Sequence, residues 1–287
     1  MGRIAYVNGR YAPLSEASVH IEDRGFQFAD GVYEVWAVMD GRLADHAGHF
    51  SRLWRSLGEL QIDPPMSEAA LDRVLRETIR RNRIKDGIVY LQITRGVARR
   101  DHAFPNPAVA PTVVITAKPQ DFAALDKKAR AGTRVITRPD NRWGRCDVKT
   151  VGLLPNALAK QAAKEAGAGE AWLVDADGYV TEGSSTNAWI VDAEGRLRTR
   201  DTGANILRGI TRLTLLDLAR ECQVEVVEAP FTLAEAKAAK EAFFTAASAF
   251  LTPVTAIDGE QVGDGLPGPV TLRLRDLYVR RARERAI

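Results

Sequence analysis

Four dipeptides set the strongest limits on how this chain can fold. Asn8-Gly9, Asp40-Gly41, Asp177-Gly178 and Glu194-Gly195 each separate two short β-like runs, as in IAYVNGRYAPL and VYEVWAVMDGRLAD. A tight hairpin needs residues that tolerate positive φ, and a turn residue followed by glycine supplies them. Hairpins join antiparallel strands. Repeated hairpins with few long helices therefore predict largely antiparallel sheets in an α+β arrangement, not a doubly wound parallel sheet. No G-x-G-x-x-G and no Walker loop is present, which removes support for the nucleotide-binding folds.

Helical periodicity appears between these runs. Phe50, Leu53, Trp54 and Leu57 recur at helical spacing, as do Leu71, Val74, Leu75 and Ile79 behind a Ser67 cap. Further helices are expected over Pro155 to Ala166, Gly209 to Cys222 and Leu233 to Ala242, the last opened by Thr232 and Glu235 in capping-box register. The runs IVYLQITR and TVVITAK are followed by KPQDFAALDKKARAG, where a proline and charges break the pattern. This predicts a small N-terminal α/β domain over residues 1–118, a linker at 119–123 and a larger C-terminal domain over 124–287.

Charge and cysteine content narrow the function classes. The 40 basic and 37 acidic residues are dispersed, and RRNR and YVRRARER, the only basic clusters, read as solvated helix faces, so no nucleic-acid partner is expected. Cys146 and Cys222 are the only cysteines, which gives neither a disulfide framework nor a Cys-rich metal site; no metal is expected. The opening MGRIAYVNGRYAPL lacks an apolar segment and no stretch approaches a membrane span, so a cytoplasmic location without membrane partners is expected.

Three features carry chemistry. In RCDVKTVGLLPNALAK, Lys149 lies between Val148 and Thr150-Val151, in a run that otherwise reads like core. Burying an ammonium costs several kcal/mol unless it is paired or deprotonated, and most lysines in such a place are surface residues at a strand end. In GYVTEGSSTNAWIV, Glu182 ends an apolar strand, although polar turns of this composition are common. In ANILRGITRLTLLDLAREC, Gly209 opens a helix whose first N–H groups suit a phosphate, with Thr211 offering a hydroxyl; most such helix starts bind only water. Together they match what pyridoxal phosphate requires: an amine for its aldehyde carbon, a carboxylate for its ring nitrogen and an anion cup.

The strings FADGVYE, HFSRL, RWGRCDVKTVGLLPNALAK, VTEGSSTNAW, ILRGITR and TAASAFLTPV occur in this order from about Tyr6 to about Asp258. They resemble the fold type IV pyridoxal phosphate enzymes, which include D-amino acid, branched-chain and (R)-amine aminotransferases and aminodeoxychorismate lyase. Within that group, TRGVARRDHAFP is most similar to the D-amino acid aminotransferases.

The resemblance implies a two-domain α+β fold with pyridoxal 5'-phosphate at the domain interface, and ping-pong transamination between D-amino acids and 2-oxo acids in a homodimer. It implies that Lys149 bonds to the cofactor, where a desolvated pocket would favour an unprotonated amine, and that Glu182 partners the pyridine nitrogen. Arg52 matches the phosphate arginine; Ile210 and Thr211 match a phosphate-binding helix start, and Ala246 and Ala247 a loop that contributes mainly backbone. Tyr33, Arg100 and His102 match a trap for the substrate carboxylate, with the Arg/His loop reaching a neighbouring subunit. A branched-chain L-amino acid or (R)-amine aminotransferase, a lyase, and a non-catalytic cofactor-binding protein on the same fold are the alternatives; the Arg100-x-His102 pair disfavours the first three and the intact Lys149, Glu182 and Arg52 set the last.

Overall fold

A computed structural model describes residues 2–287. The chain divides into two compact units: Met1–Asp121 with Val148–Gly152 and Arg285–Ile287, and Phe122–Asp147 with Leu153–Glu284.

The first unit contains β1 (Ile4–Val7), β2 (Arg10–Pro13), α1 (Arg24–Phe28), β3 (Gly31–Met39), β4 (Arg42–Leu43), α2 (His46–Glu59), α3 (Glu68–Arg81), β5 (Gly87–Thr94) and β6 (Thr112–Pro119). Its six strands form one antiparallel sheet in the order β2-β1-β6-β5-β3-β4. The hairpins turn at Asn8-Gly9 and Asp40-Gly41, all four residues having positive φ, as that dipeptide chemistry predicts. The faces of α2 and α3 that carry Phe50, Leu53, Leu71 and Leu75 bury against Val89 and Leu91 of β5 and their neighbours, and Ser67 caps α3 by accepting from Ala70 N.

Two segments distant in sequence join this unit. Thr150 bridges Val32, Tyr33 N donates to Lys149 O at 3.0 Å and Val151 N donates to Gly31 O at 3.1 Å, so Val148–Gly152 is laid against the start of β3. Ile287 exchanges backbone bonds with Leu43. The expected C-terminal domain of 124–287 counts both segments as its own, because long-range pairing leaves no local sequence signal. At the boundary, β6 runs through Pro119 and the next helix begins at Phe122, which shortens the expected linker to Gln120 and Asp121.

The second unit holds α4 (Phe122–Ala131), β7 (Thr133–Pro139), α5 (Leu154–Glu165), β8 (Glu170–Val174), β9 (Val180–Gly183), β10 (Asn187–Val191), β11 (Leu197–Thr199), α6 (Ile210–Glu221), β12 (Val226–Glu228), α7 (Leu233–Lys237), β13 (Glu241–Ala246), β14 (Phe250–Ile257), β15 (Glu260–Gln261) and α8 (Pro269–Arg285). The sheet runs β12-β11-β10-β13-β14-β7-β8-β9, with β15 on β14. The pairs β7–β8, β7–β14 and β11–β12 are parallel, so this sheet is more mixed than the hairpin pattern predicts. The Thr232/Glu235 capping box forms, but α7 stops at Lys237 and not at Ala242. Residues 241–246 pair with β10 and β14 instead, and the Glu241 carboxylate accepts from Val270 N and Thr271 N at the start of α8.

Candidate active site

In the first unit, β3 and α2 position Lys149. His49, Arg52 and Ser56 recur at helical spacing and are all buried. Ser56 Oγ accepts from Lys149 N at 3.4 Å, while Lys149 O takes the Tyr33 N–H on the other side. Fixed at both backbone groups, Lys149 is half-buried and holds its Nζ 4.1 Å from the centroid of the Tyr33 ring. Tyr33 in turn packs on Tyr90, whose hydroxyl burial and the neighbouring Tyr33 push up to about 12.

Arg52 is buried, and its Nε and Nη2 bind Glu34 Oε1 and Oε2 at 2.6 and 2.8 Å. Glu34 is fully buried in β3 and also receives His49 Nδ1 at 2.7 Å. Burial alone would raise the Glu34 pKa; the bidentate guanidinium reverses this and holds the carboxyl well below its usual range. Burial pushes His49 down, so a neutral ring donates Nδ1–H to Glu34 at neutral pH. The sequence reading named Arg52 and missed Glu34, although a glutamate inside the apolar strand GVYEVWAVM was a visible signal.

A depressed carboxyl pKa contributes stability above its unfolded value, about 4.3, and loses it as pH falls through the folded value. Glu34→Gln strands Arg52 in the interior and is expected to lose about 3–5 kcal/mol of stability at pH 7. The deficit should begin to narrow below about pH 4, as the unfolded chain takes up the proton that the folded Glu34 refuses, and the wild-type pair itself is lost only as the pH falls through the depressed folded value. Urea unfolding of both proteins across pH checks this, and a pH-independent difference would refute it.

Arg100 and His102 lie on an exposed loop after β5, and both meet Phe28 at the end of α1. The Arg100 guanidinium is 4.7 Å from the Phe28 centroid and the His102 ring 5.4 Å. Phe28 thus gathers two residues that the sequence reading had paired only by resemblance. It was missed because an aromatic in RGFQFAD reads as core.

In the second unit, Glu182 is the penultimate residue of β9 and a buried carboxylate, and Asn187 begins β10. Glu182 accepts from Arg142 Nη1, from Asn187 Nδ2 at 2.9 Å and from Leu207 N at 3.2 Å, a convergence of donors suited to an ionised carboxylate. Arg142 also binds Asp140 through Nε at 2.9 Å and Nη2 at 2.7 Å, and Thr181 Oγ1 donates to Asp140 at 2.6 Å. Burial works against the Arg142 charge, yet these carboxylates hold its pKa above the ordinary value. Burial likewise pushes the nearby Cys146 thiol up to about 11, which disfavours a nucleophilic thiolate. In DNRWGRC, Arg142 reads as a loop arginine, so sequence reasoning passed over it.

Ile210 and Thr211 open α6, whose N-cap Gly209 offers no capping side chain. A Cβ on Gly209 would lie 2.0 Å from Asn187 Oδ1, so the close approach of this helix start to Asn187 requires glycine. Thr211 is buried and its Oγ1 has no hydrogen-bond partner. An anion would answer both the uncapped helix start and the orphaned hydroxyl, so these residues fit a phosphate group. Ala246 ends β13 and Ala247 follows it, both half-buried, in a turn where Ala249 N donates to Ala246 O. Among the described residues no cluster of His, Cys, Asp and Glu is arranged to hold a metal ion.

The sequence profile of the amino-transferase class IV family matches residues 31–257. The chain is 42% identical over 264 residues to a D-alanine aminotransferase of Bacillus licheniformis, covering 92% of each chain. It is 40% identical over 271 residues to a D-alanine aminotransferase of Staphylococcus haemolyticus, covering 94% of this chain and 95% of that one. Among solved structures it is similar to the branched-chain amino acid aminotransferase of Escherichia coli. The TM-score is 0.90 and the identity 26%, over 100% of this chain and 97% of that one.

Proposed function

The chain belongs to the class IV aminotransferases, and from that premise we propose that it carries out pyridoxal 5'-phosphate-dependent transamination between a D-amino acid and a 2-oxo acid. The observation that carries the substrate class is the meeting of Arg100 and His102 on the Phe28 ring. It presents two cationic or hydrogen-bonding groups together, as recognition of a carboxylate demands.

Lys149 would bond to the cofactor, Arg52, Ile210 and Thr211 would hold its phosphate with backbone from Ala246 and Ala247, and Glu182 would pair with its ring nitrogen. When bound, the cofactor supplies an aldehyde carbon for the amino group and a conjugated ring that accommodates the electrons released at Cα. Arg100, His102 and Tyr33 orient the substrate through its carboxylate and so decide which α-hydrogen faces Lys149. Lys149 Nζ, freed once the substrate amino group has displaced it, would take that proton from Cα, and Glu182 would hold a proton at the pyridine nitrogen. The same residues serve both halves of a ping-pong cycle, in which one 2-oxo acid departs and another accepts the amino group.

Arg100→Ala tests the substrate class. Truncating one partner of a desolvated charge pair costs about 2–5 kcal/mol, so kcat/KM for D-alanine and D-glutamate should fall roughly 30-fold or more. An (R)-amine has no carboxylate and should lose little. If Arg99→Ala abolishes activity while Arg100→Ala does not, the register is off by one residue. If neither matters and L-leucine is the better substrate, the branched-chain reading replaces this one.

A cytoplasmic homodimer is part of the same proposal. Ile21, Phe26 and Phe104 stand 76%, 75% and 52% exposed on the first unit, which supports a second copy covering them, and Cys146 and Cys222 are both free. A monomeric mass by light scattering would overturn the dimer.

A further inference from the structure

The loop that presents Arg100 and His102 is exposed from Arg99 to Phe104 and has no regular secondary structure. Its backbone is nevertheless tied to a charged side chain in the interior. Arg24 is 3% exposed, and its Nη1 donates to Asp101 O at 2.6 Å and Ala103 O at 3.2 Å, while Nη2 donates to His102 O at 3.3 Å. Three successive carbonyls therefore converge on one guanidinium. Arg24 Nε is held by Asp30 Oδ2 at 2.8 Å, and the Arg24 backbone by Gly96 O, to which its N–H donates at 2.9 Å.

A second arginine braces the first. Arg95 binds the same Asp30 carboxylate through Nε at 2.7 Å and Nη2 at 3.0 Å, donates to Gln61 O and Leu60 O past the end of α2, and sits 3.5 Å from the Phe104 centroid. Arg24 thus fixes the loop's backbone while Arg95 fixes its following aromatic ring, and Asp30 sets the spacing of the two guanidiniums. The base of α1 is tightly built as well: Asp23 accepts from Gly25 N and from Thr94 Oγ1, and a Cβ on Gly25 would lie 2.2 Å from Thr94 Cγ2.

We infer that Arg24 is a positioning residue for substrate selection: it clamps the 101–103 backbone so that Arg100 and His102 are presented in one arrangement to an α-carboxylate. Its donor groups go to Asp30 and the loop carbonyls, and the side chain is buried, so it acts through the loop and not on the substrate. Arginine suits the task because a planar fork reaches several acceptors at once, whereas an ammonium is a point donor. Fixing the loop before substrate arrives removes an ordering cost from every binding event. The inference rests on Arg100 and His102 holding the carboxylate, and it adds what sets their geometry.

Arg24→Gln and Arg24→Lys in the holoenzyme test it, beside Arg100→Ala. Arg24→Gln should raise KM for D-alanine and for its 2-oxo acid partner about tenfold or more, with kcat changed less than about threefold and (R)-amine turnover preserved. Arg24→Lys should restore part of the KM. Deuterium uptake across 97–106 should run about tenfold faster in Arg24→Gln, since releasing about 1.4 kcal/mol of restraint is a tenfold change in opening. Unchanged KM and unchanged uptake overturn the clamp, and so does an equal loss on amino acids and (R)-amine with a lowered melting temperature, which marks a merely structural residue. If uptake accelerates while neither Arg24→Gln nor Arg100→Ala moves KM, the carboxylate reading fails and the clamp stands as a loop restraint without a part in selection.

Discussion

Lys149→Ala is expected to eliminate measurable transamination while leaving the fold intact. The substitution removes the group proposed to bond to the cofactor and to move the α-proton, and loss of positioned proton transfer alone costs about 10²–10⁴-fold. The backbone that places the residue does not depend on its side chain: Ser56 Oγ holds its N–H, and its carbonyl takes the Tyr33 N–H. Losing the Nζ contact with the Tyr33 ring costs about 1 kcal/mol or less, so the melting temperature of the cofactor-free protein should shift by only a few degrees. Borohydride reduction of the wild-type holoenzyme followed by peptide mapping should place the pyridoxyl label on Lys149. Two other lysines are natural controls. Lys160 Nζ already donates to Gly169 O and lies 3.5 Å from Glu170, and Lys118 is exposed on β6. Label on either, or an active Lys149→Ala enzyme, would sink the assignment.

What the sequence made legible is local in origin. The turns at Asn8-Gly9, Asp40-Gly41 and Gly178 were readable because positive φ selects their residues, and the Ser67 cap and Thr232/Glu235 capping box were readable because helix starts have a fixed hydrogen-bond need. Long-range pairing was not. AEAKAAKEA carries good helix formers, yet its last residues become β13 because Glu241 is engaged at α8 and the strand is flanked by β10 and β14. The parallel pairing of β7 with β8 has the same cause, since nothing in either strand names its partner. At the candidate site, Lys149, Glu182 and Arg100 could be named from their motifs. Glu34, Arg142, Phe28 and Arg24 could not, because each matters through what touches it in three dimensions.

The chemistry of Glu182 offers the second large effect. Glu182→Gln should keep the cofactor bound, judged by its visible absorbance, and lower kcat by about 10²–10³-fold, the scale for losing one preorganised electrostatic partner. In the proposed role, a neutral amide could not hold the pyridine nitrogen protonated, and the ring would accommodate the electrons left at Cα less readily. The surroundings add a separate cost that has to be distinguished from this one. Arg142, Asn187 and Leu207 N all aim donors at Glu182. An amide presents its own donors to part of that ring of donors, and leaving buried groups unsatisfied costs about 1–3 kcal/mol of stability. Asp140→Asn is the control, because Asp140 binds Arg142 and Thr181 and so disturbs the same network while the Glu182 charge remains. It should lower the melting temperature by a comparable amount with a far smaller loss of kcat. Equal kcat losses in the two variants would assign the effect to network disruption, and an unchanged kcat in Glu182→Gln would remove Glu182 from the catalytic machinery.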